Sequence, residues 1–89
     1  MRFEWDRGKA EANRRKHRVS FDEATSVFFD PLSVTIADPD HSVGEGRFLT
    51  MGSSSKGRLL VVAHTEIGAV LRIISARPAS ATERKRYET

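Results

Sequence analysis

The sequence predicts a single α+β domain with a short first strand, two helices, four antiparallel strands and a short C-terminal helix. Three observations support this. Segments before residue 32 have helical spacing, segments after it alternate with a period of two, and the C-terminal segment follows a helix-capping signal. Short connections between the strands favour an antiparallel meander with the first two helices on one face. The order is therefore β-α-α-β-β-β-β-α, with one domain over residues 1–89.

Helix-capping residues define where the three helices begin. Asp6 is a good N-cap for a helix over residues 7–17, which is rich in Lys, Arg, Glu and Ala. A Ser followed three residues later by Glu forms a capping box. One such box begins the second helix at Ser20. Another begins the third helix at Ser80, and that helix runs to about residue 88. Residues 2–5 fit a short edge strand. The second helix has an apolar stripe at helical spacing, made of Phe21, Ala24, Val27 and Phe28.

From Leu32 onward, alternating apolar and polar residues predict strands separated by turn-forming sequence. The predicted strands are residues 32–37, 46–52 and 59–63, and a last strand that begins at Val70. A loop and two turns are predicted at residues 38–42, 53–57 and 65–68. We expect a core that contains Phe21, Val27, Phe28, Leu60, Val62 and Ile73.

The last strand has an arginine among apolar, β-branched residues. Its composition predicts a strand buried on both faces, where an unpaired Arg72 would be costly. A period of two puts Arg72 on the same face as Val70, Ile74 and Ala76, with Arg77 just beyond the strand. Such an arginine either pairs with a carboxylate in the core or belongs to a functional site.

Composition excludes several chemistries. The chain has no cysteine, so disulfides, thiolate catalysis and cysteine-based metal sites are excluded. His17, His41 and His64 lie far apart without ligand spacing, and no phosphate-binding loop or dinucleotide fingerprint is present, so we expect neither a metal nor a cofactor. No signal peptide or membrane-length apolar run occurs, so we expect a cytoplasmic protein without membrane contact.

Charge is segregated along the chain. Residues 1–20 have seven basic and three acidic side chains, residues 21–46 have six acidic and no basic ones, and residues 47–89 have eight basic and three acidic ones. If the two basic ends meet, they form a patch suited to phosphates, although a solvated basic face is the simpler alternative. An arginine cluster binds phosphate through planar, permanently charged forks.

Arginines of this kind also suit RNA cleavage, because they stabilise the charge that develops at a phosphorus atom under attack. RNA cleaves itself without metal once its 2′-hydroxyl is deprotonated and the leaving oxygen is neutralised. A protein therefore needs to supply only orientation, one base and one acid. The available proton-transfer groups are Lys9, His17, Glu83 and Tyr87, and spacing does not choose among them.

Several stretches of the sequence match one family. They include residues 3–6, Lys9, Asn13, residues 16–17, residues 28–32, Arg47, residues 72–77, Glu83, Arg84 and Tyr87. On these residues the chain resembles BrnT, the toxin of a bacterial type II toxin–antitoxin pair, over almost its whole length. Pro78 departs from the basic or small residue of the family pattern.

The resemblance implies a RelE-like fold and an endoribonuclease that inhibits translation. It implies a partner, the BrnA antitoxin with a ribbon-helix-helix DNA-binding part, a two-plus-two assembly, and a complex that represses its own promoter. Operator DNA would then be contacted only through the antitoxin complex.

Carried over by position, the resemblance assigns candidate site residues. In this hypothesis Arg72 and Arg77 hold the scissile phosphate, His17 or Glu83 takes the 2′-hydroxyl proton, and Tyr87 or Arg84 assists the leaving oxygen. Further RNA contacts would come from Lys9, Lys16, Arg47 and Arg84. One alternative is a module that binds nucleic acid or an antitoxin without catalysis. Another is an interaction protein in which Arg72 forms a core salt bridge.

Overall fold

The computed structural model describes residues 1–40 and 46–88. It contains one five-stranded sheet in the order β1-β5-β4-β3-β2. The strands are β1 Arg2–Glu4, β2 Val34–Ala37, β3 Arg47–Ser53, β4 Leu59–Ile67 and β5 Val70–Pro78. The helices are α1 Arg7–His17, α2 Phe21–Ser26 and α3 Ala81–Glu88, and a 3₁₀ turn over Val27–Phe29 extends α2.

The predicted meander is confirmed, but the sheet is mixed. Strands β2 to β5 pair antiparallel in sequence order, whereas β1 pairs in parallel with the outer side of β5, with Phe3 opposite Leu71. The order of elements was predicted correctly, and the expectation of a purely antiparallel sheet was wrong. Parallel pairing follows because the helices and three strands separate β1 from β5, which gives the chain room to return in the same direction.

Both N-terminal helices pack on one face of the sheet, called here the helix face. Its buried cluster consists of Val19, Phe21, Ala24, Val27, Leu60, Val62, Leu71, Ile73 and Ala76. Five of the six predicted core residues are therefore buried. The sixth, Phe28, is half-buried and packs against the cluster, with its ring centroid 5.6 Å from that of Phe3. The reason is its position in the 3₁₀ turn, at the margin of the layer.

The two capping boxes differ in how completely they form. At α3 the box is reciprocal, since the Ser80 hydroxyl accepts from the Glu83 N–H at 3.2 Å and the Ser80 N–H donates to the Glu83 carboxylate at 2.9 Å. At α2 the Ser20 hydroxyl accepts from the Glu23 N–H at 3.0 Å, but the Glu23 carboxylate binds the Arg58 guanidinium instead. Long-range charge pairing thus replaces half of the predicted local motif.

Some element boundaries also differ from the prediction. Strand β4 continues to Ile67, so the predicted turn at residues 65–68 is mostly strand, and the chain reverses at Gly68 with φ of 61°. Strand β5 continues through Pro78 and therefore contains Arg77. Part of the predicted loop at residues 38–42 lies outside the described residues. Among the helices described, none is long and apolar enough to cross a membrane.

A buried histidine lies on the helix face between two aromatic rings. His64 is 1% exposed, its ring centroid is 4.9 Å from that of Phe28, and its Nε2 lies 2.7 Å from the Thr50 hydroxyl. Within residues 1–40 and 46–88, no polar group meets its buried Nδ1. Burial disfavours the charged ring and lowers the pKa of His64 from 6.5 to about 4.

We expect this histidine to make the fold acid-sensitive. Because the unfolded chain protonates His64 near pH 6.5 and the folded chain only near pH 4, the stabilisation present above pH 6.5 is lost as the pH falls through this window. The full effect is about 3 kcal/mol. Denaturant unfolding at several pH values between 4.5 and 6.5 measures it. His64→Leu should flatten that slope, and an equally steep slope in the variant would assign the acid sensitivity to other groups.

Candidate active site

A β-bulge brings the two arginines of β5 onto the same face of the sheet. Ala63 pairs with Ser75 and His64 pairs with Ile73, so β5 has one extra residue at this point. Before the bulge Leu71 and Ile73 face the helices, and after it Ala76 does. Arg72 and Arg77, five residues apart, therefore both project from the opposite face, called here the open face. The prediction that Ala76 shares a face with Arg72 was wrong because strict alternation ignores the bulge.

The open face has an arginine row at one end and an apolar floor beside Arg77. Strand register aligns Arg47, Thr65 and Arg72 across β3, β4 and β5. Towards the other end, Arg77 is paired with Val61, which pairs in turn with Met51. The face thus offers cations at both ends and an apolar surface between them.

Arg72 is not buried, contrary to the expectation of a strand covered on both faces. Its side chain is 45% exposed, and its Nη1 donates to the Glu4 carboxylate of β1 at 3.1 Å. The helices α1 and α2 pack only on the helix face, and the open face is not covered at Arg72 by described residues of either. Arg72 is therefore a surface cation with an exposed carboxylate partner, and the hypothesis of a core salt bridge is wrong.

Arg77 forms a two-pronged ion pair with Glu83 of α3. Its Nη1 and Nη2 donate to the two carboxylate oxygens at 2.8 and 2.9 Å. The hydrogen bonds from Arg77, helped by the Ser80 N–H, lower the pKa of Glu83 to about 2, and the pair raises the pKa of Arg77. The Arg77 side chain is still 40% exposed. Glu83 binds the end of the guanidinium and Nη1 also donates to the Pro78 carbonyl at 3.4 Å, so Nε–H is the group without a hydrogen-bond partner among the described residues.

The helix α3 is held over the open face mainly by polar contacts. None of its described residues is buried. Besides the Glu83 pair, the Tyr87 hydroxyl donates to Asp30, and this bond raises the pKa of Tyr87. Asp30 also accepts from the Ser53 N–H at 2.7 Å, which lowers the pKa of its carboxyl group. Between α3 and the sheet lies a cavity of about 280 Å³, lined by Val34, Ile36, Leu49, Met51, Val61, Glu83, Arg86 and Tyr87.

The remaining predicted residues are not joined to Arg77 by a side-chain contact among the described residues. Lys9 and Lys16 are exposed on α1, and His17 is half-buried at its last position. Arg84 is exposed on α3, beside Glu83. Arg47 lies 3.9 Å from Asp38 at the far end of the open face. The structure thus joins Arg77 to Glu83, whereas the other predicted residues lie on α1, at the far end of the open face or at other positions of α3.

Asn13 is a residue of this region to which sequence reasoning assigned no role. Its amide nitrogen donates to the Val19 and Ala76 carbonyls at 2.9 and 2.8 Å, and its carbonyl accepts from the Ala76 N–H at 3.1 Å. The side chain therefore takes the place of a neighbouring strand beside β5, one residue before Arg77. In the sequence Asn13 is one of the residues that match the family, and this match does not name the backbone groups that it binds.

Comparison with known proteins assigns the chain to a family. The family model described as "Ribonuclease toxin, BrnT, of type II toxin-antitoxin system" matches residues 5–83. The chain belongs to the BrnT family. The matched region contains Arg72, Arg77 and Glu83, and it ends before Arg84 and Tyr87.

The fold agrees with a BrnT crystal structure. The ribonuclease toxin BrnT of Brucella abortus superposes with a TM-score of 0.71 at 22% sequence identity, over 90% of this chain and 97% of that one. No protein of curated function matches the sequence. The chain is thus a ribonuclease toxin of the BrnT family with the BrnT fold, and as a type II toxin it has an antitoxin partner.

Proposed function

We propose that this toxin cleaves RNA without a metal ion, by attack of a 2′-hydroxyl on the adjacent phosphate, on the open face beside α3. The observation that carries the proposal is the Arg77 guanidinium, whose side chain is 40% exposed, whose Nη atoms are held by Glu83 at 2.8 and 2.9 Å, and whose Nε–H has no hydrogen-bond partner among the described residues. A preorganised guanidinium of this kind stabilises the charge that develops on a pentacoordinate phosphate. The family's ribonuclease description supports the same reaction class.

The two arginines contact different phosphates in this proposal. Five residues of strand, at about 3.3 Å each, separate Arg72 from Arg77 by roughly 15 Å. We therefore assign Arg77 to the scissile phosphate and Arg72 to a phosphate farther along the same strand. Arg47, in the row with Arg72, extends that backbone contact across the sheet. Lys9, Lys16 and Arg84 remain candidate contacts for the flanking RNA.

Glu83 acts best as a positioning residue. A carboxyl group with a pKa of about 2 is a weak base and stays paired with Arg77. Of the two proposed bases, this leaves His17 for the 2′-hydroxyl proton. Tyr87 stays protonated because its pKa is raised, so it or Arg84 can assist the leaving oxygen from α3.

We further propose how the toxin is controlled. A BrnA-like ribbon-helix-helix antitoxin would cover the open face in a two-plus-two assembly, and the complex would bind operator DNA and repress its promoter. The apolar floor between basic residues supports a partner segment with acidic and apolar side chains. The site of action would be the cytoplasm, where the RNA substrate is translated.

Purified protein tests the metal-free mechanism. We expect RNA to be cut at the same rate with and without a chelator such as EDTA, leaving 2′,3′-cyclic phosphate ends, because the attacking oxygen belongs to the substrate. Expression of the toxin alone should arrest growth. Complete loss of cleavage on chelation would overturn the metal-free mechanism. Binding of RNA without cleavage or growth arrest would instead support a non-catalytic module.

A further inference from the structure

A second cationic site lies on the helix side of the same end of the sheet. A polar cavity of about 530 Å³ is lined by Arg14, Arg18, Ser20, Glu23 and Lys56. It lies where the end of α1 meets the turn between β3 and β4. Its three cations are Arg14, Arg18 and Lys56. The sequence analysis assigned no role to them, and none belongs to the site proposed above.

The acidic residue in the cavity does not offset its cations. The Glu23 carboxylate is bound by the Arg58 Nε at 3.0 Å and by the Ser54 hydroxyl at 2.7 Å, and its side chain is only 2% exposed. Within the described part of the chain, the side chains of Arg14, Arg18 and Lys56 form no ion pair within 4.0 Å, and the charge of Lys56 makes only the smallest of the contributions that lower the pKa of Glu23. Three cations therefore surround a space whose single anion is already neutralised, which produces a positive potential there.

Arg18 occupies an unusual backbone position for a long side chain. It is the C-cap of α1 with φ of 58°, and it is the only non-glycine residue of residues 1–40 and 46–88 with positive φ. Glycine is the usual residue at such a position, because a side chain there is strained. The backbone is held by the Arg18 N–H on the Arg14 carbonyl at 2.9 Å and by Arg58 Nη2 on the Arg18 carbonyl at 3.0 Å. An arginine at this strained position is consistent with a function of the Arg18 side chain in the cavity.

Strand register puts this cavity close to Arg77. Arg58 contacts the cavity wall, and the next residue, Leu59, accepts a hydrogen bond through its carbonyl from the Ala79 N–H at 2.9 Å. Ala79 is two residues beyond Arg77. The cavity and Arg77 therefore lie at the same end of β4 and β5, on opposite faces of the sheet.

We propose that Arg14, Arg18 and Lys56 form a phosphate-binding subsite for a nucleotide that flanks the cleaved bond. This inference rests on the proposed function, because the ligand is the phosphate backbone of the RNA substrate. Guanidinium and ammonium groups bind phosphate without reading the base, so the subsite contributes affinity and register rather than sequence preference.

The test uses variants that keep the fold. Arg18→Gly removes the side chain while suiting the backbone, and it should leave the melting temperature unchanged or raised. Arg14→Ala has a matched control in Arg15→Ala, which removes the same charge from the next exposed position of α1. The control also shares the favourable effect of a cation near a helix C-terminus.

Binding is measured with a short RNA in which every sugar is 2′-O-methylated, so that it cannot be cleaved by 2′-hydroxyl attack. Relative to the control Arg15→Ala/Lys85→Ala, which removes the same number of charges from exposed positions, the double variant Arg14→Ala/Arg18→Gly should bind on the order of fivefold more weakly, with a shallower dependence of affinity on salt. Equal affinity and equal salt dependence would overturn the subsite. Weakened binding of the antitoxin alone would also overturn it and make the cavity a protein contact.

Cleavage of unmodified RNA separates this inference from the proposed function. If the wild-type protein cuts RNA and the double variant binds it as the control does, only the subsite is refuted. If the wild-type protein does not cut RNA, the proposed function fails, and the substrate subsite fails with it.

Discussion

Arg77→Ala is expected to reduce RNA cleavage by about a hundredfold or more, the typical cost of losing one preorganised charge contact to a transition state. The fork is held by Glu83 in the ground state, so substrate binding requires little reorganisation of the side chain. Arg77→Lys keeps the charge but loses the planar fork, and its activity should also fall. Rates are measured under single-turnover conditions, and growth arrest should be lost in parallel.

Folding is the confounder for Arg77, and a second variant addresses it. The Arg77 and Glu83 side chains are 40% and 30% exposed, so Glu83 stays solvated when Arg77 is lost, and the Arg77→Ala protein should remain folded in a thermal melt with a lower melting temperature. Lys85→Ala is the matched control, because it removes an exposed cation from the same helix outside the proposed site. A folded Arg77→Ala protein with the wild-type cleavage rate would remove Arg77 from the site.

Arg58→Ala is expected to cause the largest loss of stability, about 3–5 kcal/mol. The reason is its partner: the Glu23 side chain is only 2% exposed, and removing Arg58 leaves this carboxylate buried with Ser54 as its remaining side-chain contact. Glu23→Gln should cost less, since Arg58 is 37% exposed and can be solvated after its partner is neutralised. Denaturant unfolding at neutral pH gives both values.

Two comparisons make the Arg58 result specific. Arg72→Ala removes a cation from a pair whose side chains are 45% and 46% exposed, and it should cost less than about 1 kcal/mol. Replacing both members of the buried pair with apolar residues, as in Glu23→Leu/Arg58→Met, should recover much of the loss. If Arg58→Ala were no more destabilising than Arg72→Ala, the account of the buried pair would be wrong.

Local signals in the sequence predicted most of the fold. The N-caps at Asp6, Ser20 and Ser80 all accept the expected hydrogen bonds, because capping depends on residues three apart. The two-residue period after Leu32 predicted the strands, and the short connections between them predicted the meander, because both are local features of the sequence. The parallel pairing of β1 with β5 was missed, since a three-residue strand has no pattern that names a partner at the other end of the chain.

The arrangement of the site depends on features that a sequence pattern does not contain. Strict alternation puts Arg72 and Arg77 on opposite faces, and only the bulge between them brings both to the open face. Glu83 was predicted as a candidate base from residue type, whereas its contacts with Arg77 and Ser80 lower its pKa to about 2. Such contacts depend on where α3 lies over the sheet, and this is a property of the folded chain.

Cleavage of an RNA with one altered sugar shows whether the 2′-hydroxyl is the attacking group. The cleaved bond is first mapped in an unmodified oligonucleotide with the wild-type protein. The same oligonucleotide is then made with a 2′-hydrogen at the nucleotide on the 5′ side of that bond, which removes the proposed nucleophile and leaves the phosphate for Arg77. We expect no cleavage at that bond and unchanged binding of the RNA. Cleavage there at the original rate would contradict attack by the 2′-hydroxyl.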